Sequence, residues 1–306
     1  MKFKFFFNLF LFISYLLVMG NTFAKTRIVF LFGDTHVGAS AQHPDIVYKE
    51  KYKEIILNLK NDNVDNFVII PGDLTHDGFI DSEKVEGCLP CFSRIQVTDW
   101  RQWDGFVQEW VVPFEVANMS VYFGIGDHDY PNRAQYVRPL DQIYGRYKKL
   151  SSIITNNNHA YVFKKGNTYF FCCGLYPDSK IRQWLVSYLR KNNINNQPLY
   201  FFYHYNNLGD ESNLWSNADK DAFYELIKDY NVKAIITSHW FNTFTALWRE
   251  KKIPLLGVNG KFFAQLEFDD VSGDFKVQFY SVNGEMLITK NFNDLLRNDL
   301  QELDRR

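Results

Sequence analysis

Neither sign of charge dominates this 306-residue chain: 34 Lys and Arg face 35 Asp and Glu, a formal net charge of −1. That balance leaves no electrostatic footprint of a nucleic-acid-binding or anionic-membrane surface. Cysteine is scarce, with four residues. A zinc ribbon needs two Cys pairs at similar spacing, and only Cys88 and Cys91 form one. A redox Cys-x-x-Cys opens a helix in a βαβ unit. Pro90 and the irregular surroundings favour instead a small structural disulfide clip, with a thiol oxidoreductase as the weaker rival. Cys172 and Cys173 are adjacent in an apparent strand, so they face opposite ways and read as buried free thiols. Beyond residue 19 no apolar run approaches the ~20 residues of a membrane span, and no internal repeat is visible.

What is present begins with the N-terminus. Lys2 and Lys4 precede an apolar stretch from Phe5 to about Met19, followed by the small residues Thr22 and Ala24 around Phe23. This is the layout of a secretory signal peptide over 1–24. It implies a secreted or periplasmic protein with no stable membrane insertion after cleavage. The 29 Phe and 18 Tyr are many, but they point to no function.

Residues 25–290 read as one domain. Strands are expected over 27–32, 66–70, 120–123, 160–164, 168–173, 199–203 and 233–237. Helices are expected over 46–60, 100–115, 140–149, 179–191 and 218–230. Lys165-Gly166-Asn167 offers a hairpin turn. Trp103, Phe106, Val107, Trp110 and Val111 lie at helical spacing and read as core packing. Residues 81–99 lack periodicity and read as an insertion loop. From 245 to 282 the pattern becomes an antiparallel meander. The tail, 291–306, places Phe292, Leu295, Leu296, Leu300 and Leu303 on one helical face.

Short Asp/His words follow the apolar runs. They read Gly33-Asp34-Thr35-His36, Gly72-Asp73, Gly126-Asp127-His128-Asp129, Tyr203-His204 and Ser238-His239. Ligands of open α/β sheets bind beyond the carboxyl ends of strands, so residues spread over two hundred positions can converge there. Carboxylate oxygens and imidazole nitrogens suit a divalent metal. Singly, Asp34, Asp73 and Asp127 each read as a turn or helix cap, and His204 or His239 as a satisfied core histidine. Together without a metal, three buried carboxylates would repel strongly. His76, close by in Gly72-Asp73-Leu74-Thr75-His76, reads as loop.

In this order the words resemble the calcineurin-like metallophosphoesterase superfamily, whose pattern is Asp-x-His, Gly-Asp, Gly-Asn-His-Asp, a lone His after a strand, then Gly-His-x-His. The resemblance spans about 28 to 241. It implies an α/β fold, a two-sheet αββα sandwich of mixed sheets flanked by helices. It also implies one or two divalent cations, with Mn, Fe, Zn, Ni and Co all open. Asp34 and His36 stand where the first metal's ligands stand. Asp73 stands at the carboxylate bridging both metals, and Asp127, His204 and His239 at the second metal's ligands. His128 matches the histidine that contacts phosphate and protonates the leaving oxygen, and Asp129 the residue orienting it. The implied activity is hydrolysis of a phosphate-ester substrate by metal-bound hydroxide without a phospho-enzyme, monoesters ahead of diesters.

Two departures bear on that activity. Phe241 replaces the last His of Gly-His-x-His, a first-metal ligand, and leaves Asp34, His36 and Asp73, with Asn242 next door. Asp127 replaces an Asn, which lowers the net charge meeting an anionic substrate. One added charge ~4 Å from a phosphate costs up to ~4 kcal/mol at an effective dielectric near 20. These departures support the alternative, a degenerate, non-catalytic binding protein on the same fold.

Overall fold

The computed structural model describes residues 25–39, 46–76, 79–81, 96–98, 100–129, 160–208, 215–239, 244–258, 262–281, 283–295 and 301–302. The expected signal peptide, the Cys88/Cys91 clip, the 140–149 helix and Trp240, Phe241 and Asn242 lie outside them. In chain order the elements begin with β1 (Thr26–Leu31), α1 (Ile46–Leu59), β2 (Asp65–Ile70), β3 (Phe79–Asp81) and β4 (Gln96–Thr98). There follow α2 (Trp100–Phe106), a π-helical turn Val107–Val111, α3 (Val112–Val116), β5 (Ser120–Phe123), β6 (Ala160–Lys165) and β7 (Thr168–Cys173). Next come α4 (Ser179–Lys191), β8 (Leu199–Phe202), α5 (Asn217–Ile227), β9 (Val232–Thr237), β10 (Phe244–Trp248) and β11 (Ile253–Gly257). The chain closes with β12 (Phe262–Asp269), β13 (Phe275–Ser281), β14 (Met286–Asn291), α6 (Phe292–Leu295) and β15 (Gln301–Glu302).

These strands build two mixed sheets, ordered β14-β13-β12-β1-β2-β5 and β15-β10-β11-β9-β8-β7-β6, with β3-β4 a separate pair. The expected two-sheet α/β sandwich is what forms. Side chains alternate across each strand. Phe170, Cys172, Tyr200, Phe202 and Ile236 therefore join one core with Phe30, Phe67 and Leu266 of the opposite sheet. Their neighbours Phe171, Cys173, Phe201 and Ile235 join a second core with Leu185 and Leu189 of α4 and Phe223 and Ile227 of α5. Cys172 and Cys173 are thus buried and free, one in each layer, as the sequence implied.

The aromatic richness has a structural use. Phe163 stacks on Phe170 at 5.0 Å and Phe170 on Tyr200 at 4.8 Å, while Phe67 meets Phe163 and Phe170 edge-on. Each such pair adds about 0.5–1.5 kcal/mol beyond its area burial. The Trp103, Phe106, Trp110 and Val111 stripe is buried as expected. Its helix is interrupted by the π turn at Val107–Val111. Pro113 has no N–H for the Glu109 carbonyl four residues back, and Lys53 Nζ donates to that oxygen at 2.9 Å.

Helix starts obey capping chemistry. Asp178 accepts from Ile181 N at 2.8 Å and Ser216 from Asp219 N at 3.1 Å. Three expectations change. β3 and β4 pair at the ends of a region read as loop. β14 adds an edge strand that exposed, weakly patterned residues did not announce. The tail is helical only over Phe292–Leu295 among the described residues, and Gln301 and Glu302 instead pair with β10.

Candidate metal centre

Parallel pairing sets the site. β1, β2 and β5 run parallel in one sheet, and β7, β8, β9 and β11 in the other. Their carboxyl ends bring five loops together. Asp34 and His36 follow β1, Asp73 follows β2, and Asp127 and His128 follow β5. His204 follows β8 and His239 follows β9.

The loops are stitched to one another through backbone. Asp34 N donates to Gly72 O at 3.1 Å, His36 N to Asp73 O at 3.0 Å and Val37 N to Leu74 O at 3.0 Å. His128 N donates to Asp73 Oδ1 at 3.0 Å, and Ser238 N donates to His204 O at 3.0 Å. Asp34, His36, Asp73 and His239 all hold positive φ, between 43° and 67°. Non-glycine residues in that region carry about 1–3 kcal/mol of strain each, which accumulates at functional sites. Here the strain falls on four of the six side chains expected to be ligands.

Asp34, His36 and Asp73 form one group of donors, and Asp73, Asp127, His204 and His239 a second. Within each group the donor atoms lie within 4.8 Å of one another, and Asp73 belongs to both. Asp73 Oδ2 stands 3.7 Å from His36 Nε2 and 3.3 Å from His204 Nε2. Asp127 Oδ1 is 3.0 Å from both His204 Nε2 and His239 Nδ1, and those two nitrogens are 2.8 Å apart. Cis ligands of an octahedron with bonds of about 2.1 Å are about 3.0 Å apart, and tetrahedral ones about 3.4 Å. The measured edges, 2.8 to 3.7 Å, bracket that range, and the donors are oxygens and nitrogens only. The residues present therefore fit a divalent cation in each group.

Without cations the electrostatics are severe. Asp34–Asp73 and Asp73–Asp127, each pair within 4.8 Å, repel by about 3.5 kcal/mol per pair at an effective dielectric near 20. Burial pushes the Asp73 carboxyl up, but the His204 charge and hydrogen bond hold it below its ordinary value. Asp127 is likewise pushed up by burial and held low by His204 and His239. Burial pulls His204 down, yet the Asp73 charge and the Asp127 bond lift it well above an ordinary histidine. A proton on His204 thus offsets part of the repulsion a cation would remove. His204 Nδ1 faces Ser238 Oγ at 2.8 Å, leaving Nε2 toward the donor group. That serine was not legible as a site residue. It packs so closely that a Cβ on Gly33 would lie 2.5 Å from Ser238 Cβ.

Asp129 does something other than the expected orienting of His128. Its carboxylate accepts from Leu74 N at 3.0 Å, Thr75 N at 2.8 Å, Thr75 Oγ1 at 2.8 Å and Gly126 N at 2.8 Å. It clamps the loop after β2 to the loop after β5. Burial and the Asp73 charge push its carboxyl up to about 6, against the pull of those amides. His128 is held instead by the His76 carbonyl, 2.6 Å from Nδ1. His76, read as loop, sits against the site, its ring stacked 5.3 Å from that of His128. Its position depends on the carbonyl register between the loops, which sequence does not display.

Residues 28–242 match the family described as calcineurin-like phosphoesterase. The chain belongs to that family. Among curated proteins, none matches it. Of solved structures, GAP50, the anchor in the inner membrane complex of Plasmodium, is similar with a TM-score of 0.56 and 15% identity, over 87% of this chain and 88% of that one. A Staphylococcus aureus protein assigned as a 5′-nucleotidase, solved in complex with alpha-ketoglutarate, is similar with a TM-score of 0.48 and 12% identity, over 89% of this chain and 58% of that one. At 15% identity the likeness to GAP50 speaks to fold alone. No helix among the described residues is long and apolar enough to cross a membrane.

Proposed function

We propose that this family member is a metal-dependent phosphoesterase that hydrolyses phosphomonoesters in preference to diesters. One observation carries the reading: Asp73 is shared by two donor groups of metal-ligand chemistry, with His128 beside them. Asp34, His36 and Asp73 would hold one cation, and Asp73, Asp127, His204 and His239 the other. Divalent cations, when bound, neutralise phosphoryl oxygens and lower the pKa of water toward ~7.

The chain's own groups do the rest. His128 Nδ1 is committed to the His76 carbonyl, which only accepts, so Nε2 is the nitrogen that exchanges a proton with substrate. Burial pulls His128 down, but the Asp73 charge and the His76 carbonyl raise it above an ordinary histidine. That shift favours the protonated ring, the form needed to protonate a departing alkoxide. Asp129 fixes the distance between the loops carrying Asp73 and His128.

The test is turnover of p-nitrophenyl phosphate and bis-p-nitrophenyl phosphate by the full chain with Mn²⁺. The expected result is Mn²⁺-dependent hydrolysis, faster on the monoester, stopped by chelator and lost in Asp73→Asn. Absence of metal-dependent turnover of either ester would overturn the reading.

A non-catalytic binding protein is the second reading, favoured by Phe241 and Asp127. GAP50, described as an anchor, shows that the fold occurs in a protein so described. The double variant Phe241→His with Asp127→Asn separates the two. If hydrolysis appears only there, the natural chain is not an enzyme of this kind.

A further inference from the structure

Beside the two donor groups lies a third that contains no carboxylate. His36, His76 and His128 each offer a ring nitrogen, all within 4.8 Å of one another. The His36 ring meets His128 edge-on at 4.7 Å and His76 edge-on at 5.6 Å, while His76 and His128 stack at 5.3 Å. The three imidazoles thus enclose a corner on the His36 side of the centre.

The corner is built. His76 N donates to Val37 O at 2.9 Å and to Gln102 Oε1 at 3.1 Å, which ties the His76 backbone to the loop after β1 and to α2. The His76 carbonyl takes the Nδ1–H of His128. A neutral imidazole so held presents the Nε2 lone pair, the state in which ligating histidines are usually fixed by an outer partner. A cation with N–metal bonds of about 2.0–2.1 Å sets three nitrogens about 3.4 Å apart. With the nitrogens within 4.8 Å of one another, the gap left to close is at most about 1.4 Å.

His36 belongs to this corner and also to the group with Asp34 and Asp73. The two groups thus share the His36 ring. They differ in chemistry. Two carboxylates and one imidazole suit oxygen-seeking cations such as Mn²⁺. Three imidazoles with an open fourth position suit borderline cations such as Zn²⁺.

We propose that His36, His76 and His128 form a distinct seat for borderline divalent cations of the Zn²⁺ class, and that filling it blocks hydrolysis by occupying His128 Nε2. The inhibitory half rests on the function proposed above, where Nε2 delivers the proton; the seat itself does not.

Two measurements on the full chain separate these halves. Equilibrium dialysis gives Zn²⁺ and Mn²⁺ affinities, and Co²⁺ absorption reports four-coordinate nitrogen ligation, for the natural protein and for His76→Ala. The expected result is a loss of Zn²⁺-over-Mn²⁺ preference by about tenfold or more in the variant, with the Co²⁺ bands of the natural protein diminished. Retained Mn²⁺ binding shows that the variant is folded, and His76→Gln, closer in size, repeats the comparison. Equal Zn²⁺ preference and equal Co²⁺ spectra in all three proteins overturn the seat. Inhibition of the Mn²⁺-supported reaction by Zn²⁺, relieved in His76→Ala, supports the block. Zn²⁺ that binds through His76 without slowing turnover overturns the block alone. If no ester is turned over with Mn²⁺, the proposed function fails and the dialysis still decides the seat.

Discussion

Gly126→Ala is the sharpest perturbation the site offers. A Cβ there would lie 2.0 Å from Asp73 Oδ1, 2.4 Å from Asp73 N and 2.7 Å from Asp73 Cγ. Ordinary contacts begin near 3.4 Å, and Asp73 N is backbone, so no rotamer change relieves the overlap. The loops after β2 and β5 must part by about 1 Å. Overpacking of this kind costs about 1–3 kcal/mol. Weakening the bonds from His128 N to Asp73 and from Gly126 N to Asp129 adds about 1–3 kcal/mol. The shared carboxylate moves with its loop, so metal affinity falls by about tenfold or more, a tenfold change being about 1.4 kcal/mol. Gly166→Ala is the control. It sits on the β6–β7 turn, away from the strand ends that carry the site, with φ of +61° and a Cβ 2.4 Å from Asp270 Oδ2. It should lose stability comparably and bind metal normally. Thermal unfolding and Mn²⁺ dialysis on both variants decide the matter. Natural metal affinity in folded Gly126→Ala, or an equal loss in Gly166→Ala, would refute the idea that Gly126 sets the position of Asp73.

Other consequences are as direct. Asp127→Asn removes a charge worth up to ~4 kcal/mol against a bound phosphate, so kcat/KM for p-nitrophenyl phosphate should rise about tenfold while affinity for the second cation falls; a drop in kcat/KM would reverse the charge argument. Asp129→Ala strips the partner from three backbone amides and the Thr75 hydroxyl, and should cost about 3 kcal/mol or more in urea unfolding; a loss under about 1 kcal/mol would show that the clamp is not needed. Burial pushes Cys172 up to about 12 and Cys173 well above an ordinary thiol, so two thiols should react with a disulfide reagent at pH 8 only on unfolding, and reaction in the folded state would contradict that burial. Burial raises Asp269, but the amides of Ser272 and Val271 outweigh it and hold its carboxyl below the ordinary value. Its contribution is present above the ordinary carboxylate range and is lost as pH falls through the lowered folded value. Asp269→Asn should flatten the acid limb of the stability curve, and an unchanged limb would rule this out.

Much of the molecule is written locally. Runs such as Phe67-Val68-Ile69-Ile70 and Tyr200-Phe201-Phe202 specify buried strands because both faces are apolar. The Ser179–Lys191 helix is marked by its Asp178 cap and its Ile181, Leu185 and Leu189 spacing. The Asp/His words at the strand ends announce a cluster because parallel strands in a layered α/β fold deliver their carboxyl ends to the same side. The β14 edge escaped because its exposed residues carry little alternation, and the pairing of Gln301 and Glu302 with β10 because it depends on a strand far away in the chain.

What the chain alone determined, then, is which residues can meet: donors of the right chemistry, each placed after a strand. How they meet belonged to tertiary structure. The placing of Asp73 between two groups, the turning of Asp129 onto three amides rather than onto His128, and the carriage of His76 to the edge of the centre all follow from hydrogen-bond register between loops more than 30 residues apart. Side-chain identity is a local property, but the direction of a carboxylate or a lone pair is set by the donors that the fold brings to it, and those come from elsewhere in the chain.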